Sequence, residues 1–388
     1  MSMKSGIKFI LAAVMVAIMP ATTYGQQTEK AKALWESIEP YFSPPEKYKN
    51  RYGDYPSPLT FYNGKPVKTK QDWEKRRREI YNHWTEMMGE WPPLLKENEY
   101  EILETTRRDG FQQQRIRFRW TPNDTTEGYL LLPDGKEPKP AVVTVYYEPE
   151  TAVGLGDRAN RDFAYQLARR GFVALSIGTT EATEAGTYAL YYPSIENAEV
   201  EPLSMLAYAA ANAWHLLADL PEVDRDRIGI VGHSFGGKWA MFASTLFEKF
   251  AAAAWSDPGI VFDNSAPNIN YWEPWYLGYH PPPWRERGLI TEDNPARGLY
   301  PKLMEEGHDL NELHALMAPR PFLVSGGSED PPSRWIPLNH TIAVNRLLGY
   351  ENRVAMSNRP DHSPTPESNE IIYRFFEYFL KYGGASHR

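Results

Sequence analysis

The feature that most constrains this chain is a short apolar run that ends in Gly232-His233-Ser234-Phe235-Gly236. Residues 228–231 are typical of a buried strand, and residues 239–247 have a helical pattern. Glycine on both sides of the serine permits a sharp strand-to-helix turn, where a Cβ would clash with neighbouring backbone. A G-x-S-x-G turn in this context predicts a nucleophile at Ser234, with its hydroxyl lifted out of the sheet. The alternative is a tight turn that carries an inert serine.

Strands and helices alternate from about residue 139 onward. The apolar runs have no polar alternation, which is typical of strands that are buried on both faces. Predicted strands cover 141–147, 172–177, 250–255, 321–325 and 353–357, and predicted helices cover 161–170, 203–220, 339–348 and 370–381. This order indicates an α/β fold with a mostly parallel sheet and helices on both faces.

The chain before and within this pattern carries additional segments. Residues 26–94 are expected to form an N-terminal arm, irregular over 26–68 and helical over 71–90. Paired strands over 100–106 and 112–120, joined by an Asp109-Gly110 turn, and a third strand over 127–132 then open the domain at 95–382. An aromatic and proline-rich insertion at about 258–312 is expected to cover the C-terminal edge of the sheet.

The first 25 residues have the order of an export signal. Lys4 and Lys8 precede an apolar run over 9–19 that is too short to span a membrane, and small residues precede a plausible cleavage site at Gln26. We therefore expect a secreted or periplasmic protein with no membrane span after signal removal. The alternative is a buried N-terminal helix. The chain has no cysteine, so its stability outside the cytoplasm would depend on its core alone.

Charge and motifs exclude several classes of function. The net charge is −8 at pH 7 and no long basic stretch occurs, which argues against a nucleic-acid partner. The sequence shows no H-E-x-x-H, no Gly-rich phosphate loop and no dense group of Asp, His and Glu. We expect neither a metal nor another cofactor.

A serine nucleophile needs a base and an acid, which follow it in the order acid, then histidine, in chains with this motif. His362 follows the last predicted strand and is the expected base; the alternative is a surface-loop histidine. Asp257 and Asp330 each follow a predicted strand, so both would lie at the edge of the sheet that carries Ser234. Either could orient the imidazole, with Asp330 placed first, and the alternative for each is an aspartate that caps a helix.

Two further groups are expected near the serine. The N–H of Phe235 begins a helix and points to where an oxyanion would form, with a second N–H from Tyr147 or Glu148. Lys238 lies one helical turn beyond Ser234, where its charge could contact an anionic or polyhydroxylated substrate. The alternative is a helix-surface lysine.

Tryptophans are concentrated in and near the insertion. Trp272, Trp275 and Trp284 lie among proline-rich runs, and Trp335 follows later. They could stack on sugar rings or form core. The prolines favour exposed loops and therefore the sugar-stacking interpretation.

From about residue 95 to 382 the chain resembles the glucuronoyl esterases and related bacterial pectin methylesterase and acetylxylan-esterase-like proteins. The matching residues are Gly232-His233-Ser234-Phe235-Gly236-Gly237-Lys238, Asp257, Ala318-Pro319-Arg320-Pro321, Ser328-Glu329-Asp330 and His362. The resemblance implies an α/β-hydrolase fold and a lysine at position 238 that contacts a uronate sugar. Glucuronoyl esterases carry an arginine after the serine, where this chain has Phe235.

Together these features predict a secreted serine esterase that acts on esterified plant or algal polysaccharide or oligosaccharide through an acyl-enzyme. Uronic acid methyl esters are the first expectation, and sugar O-acetyl esters are the alternative. A prolyl-oligopeptidase-type peptidase would need a propeller domain, for which the N-terminal segment is too short. An inactive carbohydrate-binding protein on the same scaffold is the remaining alternative.

Overall fold

The computed structural model describes residues 21–96, 99–179 and 189–382. Residues 1–20 hold most of the predicted export signal and lie outside the described residues, so the signal stays a prediction. In the described part of the chain, no helix combines the length and the apolar character needed to cross a bilayer.

A nine-stranded sheet organises the described residues, with the order β1-β2-β3-β5-β4-β8-β9-β10-β11. Its strands are β1 (Tyr100–Arg108), β2 (Phe111–Arg119), β3 (Thr125–Pro133), β4 (Lys139–Tyr146), β5 (Val173–Gly178), β8 (Val223–His233), β9 (Ala252–Ser256), β10 (Phe322–Gly326) and β11 (Val354–Asn358). Within this sheet, β5, β4, β8, β9, β10 and β11 run parallel to one another. At one edge β3, β2 and β1 continue the sheet with antiparallel pairing. A small hairpin, β6 (Tyr192–Ser194) and β7 (Asn197–Val200), lies apart.

Helices pack on both faces of this sheet. They are α1 (Ala21–Ile38), α2 (Lys70–Met88), α3 (Pro149–Ala152), α4 (Phe163–Arg169), α5 (Pro202–Ala218), α6 (Phe235–Leu246), α7 (Leu299–Glu305), α8 (Asn311–Ala315), α9 (Trp335–Leu348) and α10 (Pro366–Phe376). Short 3₁₀ turns occur at Glu39–Phe42 and Pro332–Arg334, and a π turn at Glu377–Lys381.

Adjacent side chains on the parallel strands enter two different apolar layers, because strand residues alternate between faces. On β4, Val143 packs with the layer of α2, α5, α6 and α9, whereas Val142 packs with α1, α4 and α10. Both layers exclude water, which explains why these strands read as continuous apolar runs. The α/β-hydrolase fold predicted from the sequence is confirmed.

The N-terminal arm is more regular than its composition indicates. Residues 26–68 were expected to be irregular, but α1 runs to Ile38 and a 3₁₀ turn follows it. Trp35 packs 5.2 Å from the ring of Tyr378, and Phe42 packs on Phe375. The apolar side of α1 thus packs against the C-terminal helical segment, with Trp35 half-buried and Ile38 buried, and this contact stabilises a helix that the composition does not indicate.

Candidate active site

The turn between β8 and α6 places Ser234 in an unusual backbone conformation, with φ 57° and ψ −114°. A Cβ on Gly232 would lie 2.1 Å from the carbonyl oxygen of Gly236. A Cβ on Gly236 would lie 2.0 Å from the carbonyl oxygen of Val145. Both glycines are therefore required by close backbone approach, and they hold the serine on a sharp strand-to-helix turn.

Three side chains form an unbroken hydrogen-bonded series at this turn. The Nε2 atom of His362 lies 2.8 Å from Oγ of Ser234, and its Nδ1 atom lies 2.7 Å from Oδ2 of Asp257. With Nδ1–H donating to the carboxylate, Nε2 is left to accept the serine proton. The Asp257 side chain is fully buried, whereas that of His362 is 30% exposed. Ser234 and His362 therefore meet at a surface that a substrate can reach.

Asp257, not Asp330, contacts the histidine, which corrects the expected order of the two acids. The second oxygen of Asp257 accepts the N–H groups of Gly327 at 2.6 Å and Asp330 at 2.9 Å. The Asp330 carboxylate instead accepts the N–H groups of Gly259 and Ile260, at 2.8 and 2.7 Å. Burial, together with nearby Asp257, raises the pKa of Asp330. Asp330 therefore orders the loop that follows Asp257.

Arg359 holds the loop that carries the histidine, a role that the sequence analysis did not identify. Its guanidinium donates to the carbonyl oxygens of His362 at 2.6 Å and Ser363 at 2.8 Å. The same group donates to the carbonyl oxygen of Ser325 at the end of β10, at 2.7 Å. The only sequence signal is a charged residue directly after a buried strand. Arg359 thereby fixes the imidazole relative to the sheet edge.

His233 lies behind the catalytic candidates. Its ring centroid is 4.8 Å from that of His362, and its Nδ1 atom is 3.1 Å from the carbonyl oxygen of Ser256. Burial, and then the neighbouring His362, lowers the pKa of His233 well below its ordinary value. His233 therefore stays neutral and does not oppose a positive charge on His362.

The expected oxyanion residues lie side by side. The rings of Tyr147 and Phe235 stack at 4.5 Å, which brings the end of β4 against the first residue of α6. The carbonyl of Tyr147 accepts the N–H of Thr179 at 2.7 Å, which fixes the path of the backbone after β4. An exposed cation, Arg158, lies 5.9 Å from the Tyr147 ring. The oxyanion role of the two N–H groups stays a prediction.

Lys238 does not present its charge to solvent. The residue is 2% exposed, and its Nζ atom donates to the carbonyl oxygens of Pro258 at 2.6 Å and Asn268 at 3.0 Å. Its Nζ also lies 4.9 Å from the centroid of the Tyr271 ring. Burial lowers the pKa of Lys238 to about 8. The expectation that Lys238 contacts a sugar is therefore corrected. The insertion covers this face of α6, and the hydrogen bonds of Lys238 hold the insertion against the helix.

Three of the four tryptophans proposed as sugar platforms are core residues. Trp272, Trp275 and Trp335 are 0%, 6% and 2% exposed, because the insertion and α9 pack into the same apolar layer as α2, α5 and α6. Only Trp284 is half-buried; it stacks on Tyr191 at 5.9 Å. The prolines indicated exposed loops correctly around Trp284, but they did not indicate that the neighbouring rings point inward.

Residues 126–267 match the model of the dienelactone hydrolase family. This region begins in β3 and includes Ser234 and Asp257, and His362 lies beyond it. Esterase FrsA of Vibrio cholerae is 31% identical over 147 residues, which are 37% of this chain and 30% of the relative. The match thus covers less than a third of that relative's length.

Two solved structures share the architecture over most of the chain. A glucuronoyl esterase from Solibacter usitatus aligns at 18% identity and a TM-score of 0.63, over 84% of this chain and 97% of the other. A CE15 glucuronoyl esterase from Teredinibacter turnerae T7901 aligns at 19% identity and a TM-score of 0.60, over 91% and 100%. At such identities the likeness concerns the fold. The chain has the α/β-hydrolase fold, and within it residues 126–267 are similar to the dienelactone hydrolase family.

Proposed function

We propose that the protein is a serine carboxylic-ester hydrolase in which Ser234 is the nucleophile, His362 the base and Asp257 the acid. The observation that carries the proposal is the continuous hydrogen-bonded series from the buried carboxylate to the accessible serine hydroxyl, at 2.7 and 2.8 Å. The strained turn at Ser234 keeps the hydroxyl aimed at the imidazole.

In this mechanism Oγ of Ser234 attacks the ester carbonyl carbon while Nε2 of His362 takes the hydroxyl proton. Asp257 stabilises the resulting imidazolium and keeps the ring oriented. The tetrahedral intermediate expels the alcohol, which receives the proton from His362, and an acyl-serine remains. Water, deprotonated by the same imidazole, then attacks the acyl carbon and releases the acid and free Ser234.

The negative charge on the carbonyl oxygen needs preorganised donors. The N–H of Phe235 lies in the first turn of α6, where the helix dipole favours negative charge. The N–H of Tyr147, at the end of β4, is the second donor in this proposal. Stacking of the two aromatic rings at 4.5 Å supports it, because it fixes the two backbone segments relative to each other.

We propose a carbohydrate ester as the substrate, with uronic acid methyl esters as the first choice. The shared fold with glucuronoyl esterases supports this class. Lys238 is buried, whereas Arg158 is exposed beside Tyr147, where its charge can contact a uronate or its hydroxyls. The order of residues 1–25 supports action outside the cytoplasm.

The chemical class is tested with Ser234→Ala and the matched control Ser265→Ala, whose hydroxyl is exposed and bonded to Asp263. On p-nitrophenyl acetate, Ser234→Ala should lower kcat at least ~10³-fold, on the scale of triad deletions. The control should retain wild-type turnover. Near-wild-type turnover by purified, folded Ser234→Ala would rule out the covalent mechanism.

The substrate class is tested separately with methyl-esterified, acetylated and feruloylated glycans. The proposal expects the highest kcat/KM on a uronate methyl ester. Higher activity on acetylated xylan than on every uronate ester would remove the uronate assignment and leave the esterase mechanism standing.

A further inference from the structure

Three potential metal ligands meet where α2 packs against the loop between α7 and α8. His83 lies on α2, and Glu306 and His308 lie in the loop. One ligand atom from each residue falls within 4.8 Å of the others. The histidines are 225 residues apart, so this group arises only from folding and has no local motif. The absence of a dense cluster in the sequence therefore does not decide whether the protein binds a metal.

The contact with Glu312 sets the tautomer of His308. Its Nδ1 atom lies 2.7 Å from Oε2 of Glu312, a fully buried residue. The same carboxylate accepts from Arg76 and from the indole of Trp84, both at 3.2 Å. Its oxygens are acceptors in all these contacts, so Nδ1 of His308 carries the proton. The lone pair on Nε2 then points away from Glu312, toward the other two ligands.

Three potential ligand atoms consequently lie close together. Nε2 of His308 is 3.0 Å from Nε2 of His83 and 3.5 Å from a carboxylate oxygen of Glu306. Two arrangements satisfy these atoms: an Nε2–H of His83 donates to Nε2 of His308, or both imidazoles and the carboxylate bind one metal ion.

We propose that His83, His308 and Glu306 form a Zn²⁺ site that fastens the N-terminal arm to the hydrolase domain. Two imidazoles and one carboxylate are ordinary zinc ligands, and Glu312 supplies the carboxylate–histidine–metal arrangement that orients such ligands. Tetrahedral ligands at about 2.0–2.1 Å from zinc are separated by about 3.3 Å, so the histidines need only a small shift. The exposed side chain of Glu306 can rotate to complete the set.

The site has a structural rather than an ester-hydrolysing role. Asp309, beside His308, accepts the N–H of Phe262 at 3.1 Å, so the ligand loop at the end of the insertion is bonded to the segment that follows Asp257. A metal here would link α2 to the insertion. It would raise stability because it binds the folded chain in preference to the unfolded one.

The test uses the tag-free full chain after dialysis against a chelator, with Zn²⁺ added in a calorimetric titration and in thermal unfolding. Wild type should bind one Zn²⁺ per chain and gain Tm, and Co²⁺ should give the visible absorption of a tetrahedral site. His83→Gln should weaken binding by more than about 100-fold, beyond the cost of losing an outer-shell partner. Glu306→Gln should weaken it less, and its matched control, Glu305→Gln on the exposed end of α7, should not change it.

His308→Gln would also lose the contact with Glu312 and is therefore not used. His83→Gln and Glu306→Gln test the site, and His215→Gln on α5 is the histidine control. Hydrolysis of p-nitrophenyl acetate by wild type should be the same with and without Zn²⁺. Failure to bind stoichiometric Zn²⁺, or binding that survives in His83→Gln, would overturn the proposal and leave a hydrogen-bonded histidine pair.

Discussion

Asp330 donates its backbone N–H, at 2.9 Å, to the oxygen of Asp257 that faces away from His362. The two aspartates belong to one hydrogen-bonded unit, but their carboxylates have different partners. That of Asp257 contacts the imidazole, whereas that of Asp330 accepts the N–H groups of Gly259 and Ile260. One carboxylate therefore contacts the candidate base, and the other fixes the loop that holds it.

Exchange of each aspartate for asparagine should separate these tasks. Asp257→Asn should lower kcat by about 10⁴-fold, because the amide favours the wrong imidazole tautomer. Asp330→Asn should keep kcat within about tenfold but cost about 1–3 kcal/mol of unfolding free energy, since one buried N–H loses its acceptor. Turnover of p-nitrophenyl acetate and urea unfolding measure the two effects. Equal kcat losses would show that Asp330 also acts on His362.

Lys238→Met should act through the insertion and not through the substrate. Methionine fills the space of the lysine but leaves the carbonyl oxygens of Pro258 and Asn268 without their donor. We expect a lower Tm and a similar fractional loss of kcat/KM on a uronate ester and on an aryl acetate. A loss on the uronate ester alone would return Lys238 to the substrate site.

Phe235→Arg restores the residue type found after the serine in the glucuronoyl esterases that the chain resembles, yet it should damage the protein. Phe235 is 1% exposed and stacks on Tyr147, so an arginine would bury a charge with no partner. Thermal unfolding should show a much larger loss of Tm than in the apolar control Phe235→Leu. A Phe235→Arg protein as stable as this control would mean that the guanidinium finds a path to solvent.

His314 should make the protein sensitive to acid. The residue is 0% exposed, packs 5.4 Å from the ring of Trp255, and has its pKa lowered to about 3 by burial. Between this value and the ordinary 6.5 the unfolded chain binds the extra proton, so stability falls as pH drops through that window. Each pH unit costs at most about 1.4 kcal/mol. Urea unfolding at several pH values should show that the unfolding free energy of His314→Leu falls less steeply below pH 6.5 than that of wild type. An equally steep fall would contradict a contribution of His314 to acid sensitivity.

The sequence predicts the fold well because buried strands and helices leave local patterns. Apolar runs marked β4, β5, β9, β10 and β11, and paired glycines marked the turn at Ser234. The choice between Asp257 and Asp330 left no such pattern, since each follows a strand at the same edge. It depends on loop geometry, including the positive φ of 51° at Asp257, which nothing in the local composition specifies.

The remaining differences between the expected and the observed site arise from tertiary packing. Helical spacing correctly places Lys238 one turn beyond Ser234, but spacing cannot indicate that residues 258 and 268 cover it. The same holds for Trp272, whose indole donates to the carbonyl of Gly288 inside the insertion. The cluster of His83 and His308 forms from segments that have no sequence relation to each other.

Ser234 and His362, its proposed base, are 128 residues apart and follow β8 and β11, with β9 and β10 between them in the sheet. A nascent chain that has emerged from the ribosome only as far as β10 holds every residue of the serine turn, yet it lacks the imidazole. Hydrolytic competence would therefore appear only at the end of synthesis, when the last parallel strand joins the edge. An incomplete chain in the producing cell would remain harmless to the cell's own esters.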